Sequence, residues 1–299
     1  VILTDFSGVA ISAIINSAMR EKMQLDEQVI KHIVFSSFRN IHKKLGPEFG
    51  EHLLLCDSRS WRKDAFVHYK ANRVHDDSAE SLVDWTLIFK MMDEIRDAFD
   101  KHFPFHVISA KNCEADDLIA AFAKKATEPT CIVSKDKDFF QLHRLGIKQY
   151  HHSKKEFIEV PDPVAARVEH IIRGDSGDGI PNVLSDDDTF VTSKRQKAMR
   201  EKVFNECLEY AKSDFKDAPA NLKRNWDRNK LMIDLMNPVE NALEAYDKYR
   251  ASESKEITQN DTANYFASQK MVVLFGRVSD FYQGRTKKEE SSGPLSSFM

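Results

Sequence analysis

The chain has 299 residues, 41% of them hydrophobic and 30% charged. That is enough for one large domain or two unequal ones with a sizeable core, and no apolar run approaches the ~18 residues of a membrane span. Four cysteines, Cys56, Cys113, Cys131 and Cys207, stand far apart with no C-x-x-C pair, which speaks against a zinc site and for small buried thiols in a reducing, cytosolic compartment. The net charge of −3 would argue against a polyanionic partner only if charge were evenly spread, and it is not.

No signal peptide or lipidation motif is read, and a chain starting at Val1 is expected to lack a short N-terminal piece. Val1 to Leu3 is an apolar run that ends at Thr4-Asp5, so Asp5 sits at the C-terminal end of a first strand. A long helix is predicted over roughly Asp26 to Leu45, closed by Gly46-Pro47. His52 to Cys56 is a second buried strand, and Asp57 leaves its end as Asp5 left the first. Arg59 to Arg73 carries five basic residues, Arg59, Arg62, Lys63, Lys70 and Arg73, against the single acid Asp64, and Ser60 to Arg73 is a basic segment with interleaved aromatics at Trp61, Phe66 and Tyr69. On a helix Arg62, Phe66, Tyr69 and Arg73 would share a face; a solvated amphipathic helix with core aromatics has the same pattern. Val74 to Ser81 is polar, and a second helix is expected from about Leu82 to Phe99. Such a pair could arch over a single strand.

Phe105 to Ile108 and Cys131 to Val133 are read as third and fourth strands. Strands alternating with helices imply a parallel sheet. Gly146 to Tyr150 and Phe157 to Val160 form a fifth strand and its hairpin partner, with His151 and His152 in a surface turn. Pro163 starts a helix that runs to about Arg173, followed by the loop Gly174-Asp175-Ser176-Gly177-Asp178-Gly179. No glycine occurs from Ile180 to Phe275, and helices are predicted at Gln196 to Lys212, Trp226 to Met236 and Val239 to Arg250. The expected division is an α/β domain over 1–178 with its arch at about 60–99, a smaller all-α domain over 179–285 that binds nucleic acid, and a flexible tail over 286–299.

Between Ala110 and Phe140 the acids gather. Glu114, Asp116 and Asp117 open an apolar-periodic helix, and Asp136 and Asp138 follow the fourth strand. First-turn acids often serve only the helix dipole, and a Lys-Asp-Lys-Asp run is often a solvated turn. The recurrence of the pattern at Asp5, Asp57 and Asp178 favours a shared site at the strand ends, where open α/β sheets bind ligands. Asp5, Asp57, Glu114, Asp116, Asp136, Asp138 and Asp178 would repel one another strongly without cations. Hard oxygen ligands select Mg²⁺ or Mn²⁺, and two ions about 4 Å apart suit in-line displacement at phosphorus without a side-chain base. Positive flanks complete the plan: eleven basic residues against six acids lie between Lys194 and Lys230.

In this order, Asp5, Asp57, the Y-K-x-x-R segment Tyr69 to Arg73, Glu114-Ala-Asp-Asp117, Asp136-Lys-Asp138 and Gly174-Asp-x-x-Asp178 resemble the flap endonuclease (5′-nuclease) family, and within it the RNase H branch of T-even-like bacteriophages. The likeness covers Ile2 to Asp178 well and the remainder loosely. It implies a mainly parallel sheet of the PIN/5′-nuclease type, two Mg²⁺ ions for which Mn²⁺ may substitute, and 5′ to 3′ hydrolysis of RNA/DNA or DNA/DNA duplexes and 5′ flaps, with RNA primer removal in the cytoplasm of an infected bacterium. By resemblance Asp5, Asp57, Asp116 and Asp136 surround the first metal with Glu114 nearby, while Asp138, Asp178 and Asp175 serve the second. Lys70 and Arg73 would act on the scissile phosphate, Tyr69 would stack on a base, and Arg62 and Lys63 would contact backbone.

One departure stands out. The family's glycine-rich duplex-gripping hairpin is replaced by Asn182 to Thr192, with three consecutive acids and no glycine, so Lys194, Arg195, Lys197 and Arg200 are expected to hold duplex by charge. The apolar tip of the tail, Gly293 to Met299, either docks in a sliding clamp or is a disordered end. A single-stranded DNA-binding protein is the other expected partner, and the chain is expected to be a monomer. A non-cleaving fork-binding scaffold is the alternative function, disfavoured because a pure binder gains nothing from clustered negative charge. An adhesion-type metal domain would want a hydroxyl where Val9 stands, an aspartyl phosphatase an acid where Ser7 stands, and a small endoribonuclease would lack the basic arch.

Overall fold

The computed structural model describes residues 1–21, 25–72, 84–192, 194–253 and 255–284. Arg73, the stretch Val74 to Ser81 and the tail tip lie outside these residues, so the arch expected over 60–99 is described only at its two ends. The strands are β1 (Ile2–Asp5), β2 (His52–Leu55), β3 (His106–Ile108), β4 (Cys131–Val133), β5 (Lys148–His151) and β6 (Glu156–Ile158). The helices are α1 (Phe6–Glu21), α2 (Glu27–Phe49), α3 (Arg62–Ala65), α4 (Trp85–His102), α5 (Ala115–Lys125), α6 (Pro163–Arg173), α7 (Glu201–Lys212), α8 (Ala220–Ile233), α9 (Glu240–Ala251), α10 (Gln259–Ser268) and α11 (Val272–Phe275), with 3₁₀ helices at Lys137–Leu145 and Val278–Phe281.

One sheet of order β3-β2-β1-β4-β5-β6 results. Every pairing is parallel except that of β5 with β6. The central strands β1, β2 and β4 are short and almost wholly buried because both faces are covered, whereas β3, β5 and β6 toward the edges carry polar and part-exposed residues. Alternate side chains go to opposite cores: Ile2, Leu54, Cys131 and Val133 pack with α1, α2 and α4, whereas Leu3, Leu53, Leu55 and Ile132 pack with α5 and α9. The first core is held by Phe35, Phe38, Phe99, Phe103 and Phe105, each essentially inaccessible, at roughly 2–3 kcal/mol of burial apiece. Helices after Asp178 join three surfaces. Helices α7 and α8 pack on α6, α9 on α5, and α11 on α2, so the glycine-free half is continuous with both sheet cores.

Several expectations change: α7 begins at Glu201 rather than Gln196, and α8 spans Ala220–Ile233 rather than Trp226 to Met236. Helix α1 was not read from the sequence; its buried Val9, Ala10 and Ile14 give it the apolar stripe of a helix lying on the sheet. Helix α2 does not close at Gly46-Pro47 but runs through them to Phe49. Gly46 is required there for contact, since a Cβ would come within 2.3 Å of the Gln283 carbonyl oxygen.

Beneath this packing lie two stacked histidines, His42 and His52, with ring centroids 5.5 Å apart. Thr4 Oγ1 lies 2.7 Å from His52 Nε2. Burial lowers His42 to about 4 and His52 well below its ordinary value. The unfolded chain therefore binds these protons more readily, and the stability contribution is complete above about pH 6.5 and is lost as pH falls toward 4. Comparing denaturant midpoints of wild type and His42→Gln across that window cancels the carboxylates common to both. The difference should shrink with falling pH by on the order of 2–3 kcal/mol, and a pH-independent difference would refute a neutral buried His42.

Candidate active site

The order β2-β1-β4 puts the point where the winding of the sheet reverses between β1 and β4, and the C-terminal edge there is where ligands enter such sheets. Asp5 ends β1, Asp57 follows β2 and Asp136 follows β4. Each is aimed by a nearby backbone donor. Gly8 N donates to Asp5 Oδ1 at 2.8 Å, Ala115 N to Asp57 Oδ1 at 2.9 Å and Asp138 N to Asp136 Oδ1 at 3.0 Å. A Cβ on residue 8 would sit 2.1 Å from Asp5 Oδ2, so glycine at this position leaves the Asp5 carboxylate its place.

The acids form two overlapping groups. Burial, with the charges of Asp57 and Asp136, raises Asp5 to about 7 against the Gly8 hydrogen bond. Asp116 is pushed well above the carboxylate range by burial and by Asp138, Asp5 and Asp136. Asp138 is pushed up by burial and by Asp136, Asp175 and Asp178, and its Oδ1 is buried without a hydrogen-bond partner. Asp175 differs: burial alone would raise it, but hydrogen bonds from His170 and Lys137 hold it below the usual range. Asp138, His170 and Asp175 each offer a ligand atom within 4.8 Å of the others.

Glu114 stands apart from both groups. Its Oε2 accepts from Ser60 Oγ at 2.7 Å, Arg62 Nη1 at 2.9 Å and the Tyr69 hydroxyl at 2.9 Å, and its Oε1 accepts from Lys70 Nζ at 2.5 Å. Burial opposes its ionisation, yet Lys70, then Ser60 and Arg62, bring it to about 2. With both oxygens engaged by protein donors, Glu114 anchors the basic segment.

The segment itself is not the expected continuous helix. Helix α3 lasts one turn, Phe66 is extended (φ −142°) and Lys70 is left-handed (φ 57°). Phe66 and Tyr69 are drawn into a core with Ile171, Ile172 and Trp226, while Lys70 N donates to Asp178 O at 2.8 Å and Asn72 Nδ2 to Ser176 O at 2.8 Å. The 66–72 turn is thus bound to the loop carrying Asp175 and Asp178, and Lys70 Nζ lies 3.8 Å from Asp178 Oδ2.

Residues 12–169 match the family described as "5′-3′ exonuclease, N-terminal resolvase-like domain". The chain belongs to this family. It is 26% identical over 301 residues to the Ribonuclease H of Enterobacteria phage T4, covering 93% of this chain and 95% of that protein. Two solved structures share its fold. One is T5 5′-exonuclease with divalent zinc ions bound, at TM-score 0.60 and 15% identity over 91% of this chain and 98% of that one. The other is a T5 flap endonuclease in a complex with DNA and metal ions, at TM-score 0.56 and 14% identity over 90% and 98%. The chain is therefore a 5′-3′ nuclease by family, on a mostly parallel sheet with helices on both faces.

Against that background two expected nucleic-acid contacts are corrected. Arg62 is buried at 4% exposure, paired with Glu114 and Asp117 and donating to the Met232 carbonyl. Tyr69, also at 4%, has its hydroxyl 2.9 Å from both Glu114 and Asp178 and offers no open face to a base. Lys63, Lys194, Arg195, Lys197 and Arg200 are exposed. The acidic run 186–188 is largely compensated within the protein, Asp187 by Arg224 and Arg228 and Asp188 by Lys194. His170, Lys137, Ser60 and Gly8 were not singled out from the sequence; the one signal available was a histidine in the last turn of α6, just before the Gly-Asp loop.

Gly8→Ala should fold normally, because the clash is with a side chain that can rotate, and should lose about 10²-fold in cleavage; a melting curve and an activity assay on the same sample check this, and full activity would mean Asp5 does not need its observed position. Arg62→Ala should lose about 3–5 kcal/mol in denaturant unfolding, since it leaves Glu114 and Asp117 buried without their partner. A loss below about 1 kcal/mol would show that the guanidinium is structurally idle.

Proposed function

We propose that this chain is a divalent-metal-dependent 5′ to 3′ nuclease and flap endonuclease that uses Mg²⁺, accepts Mn²⁺, and removes RNA primers from lagging-strand fragments during phage DNA replication in a bacterial host. The observation that carries the reading is the convergence of Asp5, Asp57, Asp116, Asp136, Asp138, Asp175 and Asp178 on one sheet edge, with Asp138 Oδ1 buried and unpartnered. Such a cluster of oxygen donors fits a hard cation, and a cation would relieve the repulsion that pushes Asp5, Asp116 and Asp138 upward. Asp5, Asp57, Asp116 and Asp136 would hold one ion and Asp138, Asp175 and Asp178 a second. Bound divalent ions supply Lewis-acid charge for in-line displacement at phosphorus.

The rest of the chemistry belongs to the chain. Gly8, Ala115 and Asp138 fix the carboxylates through their backbone N–H groups, so the donors need no reorganisation during reaction. Glu114 holds the Lys70 ammonium at the rim of the acids, half-buried, where it can face a phosphate. Arg73 is proposed as its companion. Lys63, Lys194, Arg195, Lys197 and Arg200 would track the sugar-phosphate backbone, which sets register without reading sequence. The solved T5 flap endonuclease complex with DNA supports a nucleic-acid substrate for this fold. A sliding clamp taken by the tail tip and a single-stranded DNA-binding protein are proposed partners of a monomeric enzyme.

Cleavage of a 5′-labelled, RNA-primed flap duplex tests the reading. Wild type with Mg²⁺ should release short 5′ products. EDTA, or Asp136→Asn with Mg²⁺, should lower the rate by about 10³-fold or more, while duplex binding by Asp136→Asn stays within about threefold because the change also removes repulsion of phosphate. Wild-type turnover by Asp136→Asn would refute the site, and tight binding without products under any divalent ion would make the chain a fork-binding scaffold.

A further inference from the structure

We propose that His170 is a direct ligand of the second cation, making that site a mixed nitrogen and oxygen site with Asp138 and Asp175 that prefers a borderline transition ion, such as Mn²⁺, over Mg²⁺. The proposal rests on the metal-dependent reading above and adds to it a donor that no carboxylate motif contains.

Three elements bring the donors together. Asp138 comes from the first turn of the 3₁₀ helix 137–145, His170 from the last turn of α6, and Asp175 from the loop that follows. Helix α6 packs directly on that 3₁₀ helix, and Ile171 and Ile172 beside the histidine are fully buried, so the ring is placed by the core. His170 Nε2 lies 3.2 Å from Asp175 Oδ2, and Nδ1 lies 3.6 Å from Asp138 Oδ1. The second distance is too long for a hydrogen bond, and Asp138 Oδ1 has no other protein partner while lying out of solvent. Nδ1 and the buried Asp138 oxygen are instead spaced as two ligands of one ion, while the other ring nitrogen, Nε2, keeps its contact with Asp175 and orients the ring. Ligands about 2.1 Å from a metal stand roughly 3 Å apart when adjacent and about 4.2 Å apart when opposite, and the three donors here all fall within 4.8 Å.

Lys137 supplies the remaining piece. Its ammonium lies 3.0 Å from Asp175 Oδ2, on a side chain that is 56% exposed. It can therefore neutralise Asp175 without an ion and swing into solvent when one binds. Replacing a carboxylate by a neutral imidazole lowers the negative charge of the site and adds a softer donor, and both changes weaken Mg²⁺ relative to Mn²⁺.

Electron spin-echo spectroscopy of Mn²⁺ added to the full chain without substrate tests this. Wild type should show ¹⁴N coupling from an imidazole on one class of bound Mn²⁺. His170→Asn should abolish it and weaken Mn²⁺ at that site by about tenfold or more, with Mg²⁺ changing less than about threefold. Mn²⁺ bound without ¹⁴N coupling in wild type, or coupling that persists in His170→Asn, would overturn the proposal and leave the carboxylate site standing. Absence of any bound Mn²⁺ would overturn both.

Discussion

Like charges cannot be crowded into a low-dielectric crevice without compensation, and the architecture is arranged around that constraint. Parallel pairing carries the ends of β1, β2 and β4 to one edge, and each of these three strands is followed there by an aspartate. The chain answers in three ways: backbone N–H groups fix Asp5, Asp57 and Asp136, Lys137 neutralises Asp175, and Lys70 and Arg62 neutralise Glu114. What is left uncompensated is Asp5, Asp116 and Asp138, whose ionisation burial and neighbours oppose. A site that stays electrostatically incomplete on its own is poised for cations.

The division of labour between Glu114 and its neighbour Asp116 follows from helix geometry. Glu114 caps α5 and points back toward the basic segment, and Asp117, three residues on, reaches Arg62 and the Glu114 backbone N–H at 2.9 Å. Asp116 lies between them in sequence but faces the other acids. The segment Glu114 to Asp117 thus serves two electrostatic tasks on opposite sides of the helix start, one holding a cationic arm and one enlarging the anionic pocket.

Much of this was legible in the sequence. An apolar run that ends in aspartate, repeated at Asp5, Asp57 and Asp136, defined both the parallel sheet and the edge of the site, and Pro163 and Gly174 bounded α6 to the residue. The segment 60–73 was not legible, because Phe66 and Tyr69 fit a helical face on spacing alone, whereas their actual conformation is set by a core contributed by α6 and α8. Arg62 and Lys63 are adjacent and alike in composition, yet one is buried in an ion-pair network and the other faces solvent. Only the fold distinguishes them. His170 was not legible because Asp138, which faces its ring, comes from a different element.

The central position of β1 also sets when the molecule becomes dangerous to nucleic acid. Strand β1 pairs on one side with β2, but its other neighbour joins through Leu3 and Ile132, and the loop with Asp175 and Asp178 comes later still. At ordinary rates of synthesis, about 5–20 residues per second, Asp5 and Asp57 wait several seconds or more before the acids of α5, of the segment after β4 and of the Asp175 loop have all been made. Long-range parallel pairing is slow to form as well. The carboxylate cluster therefore cannot assemble before Asp178 has been made, and a nascent chain shorter than that, still tethered beside its own messenger RNA, holds only part of it.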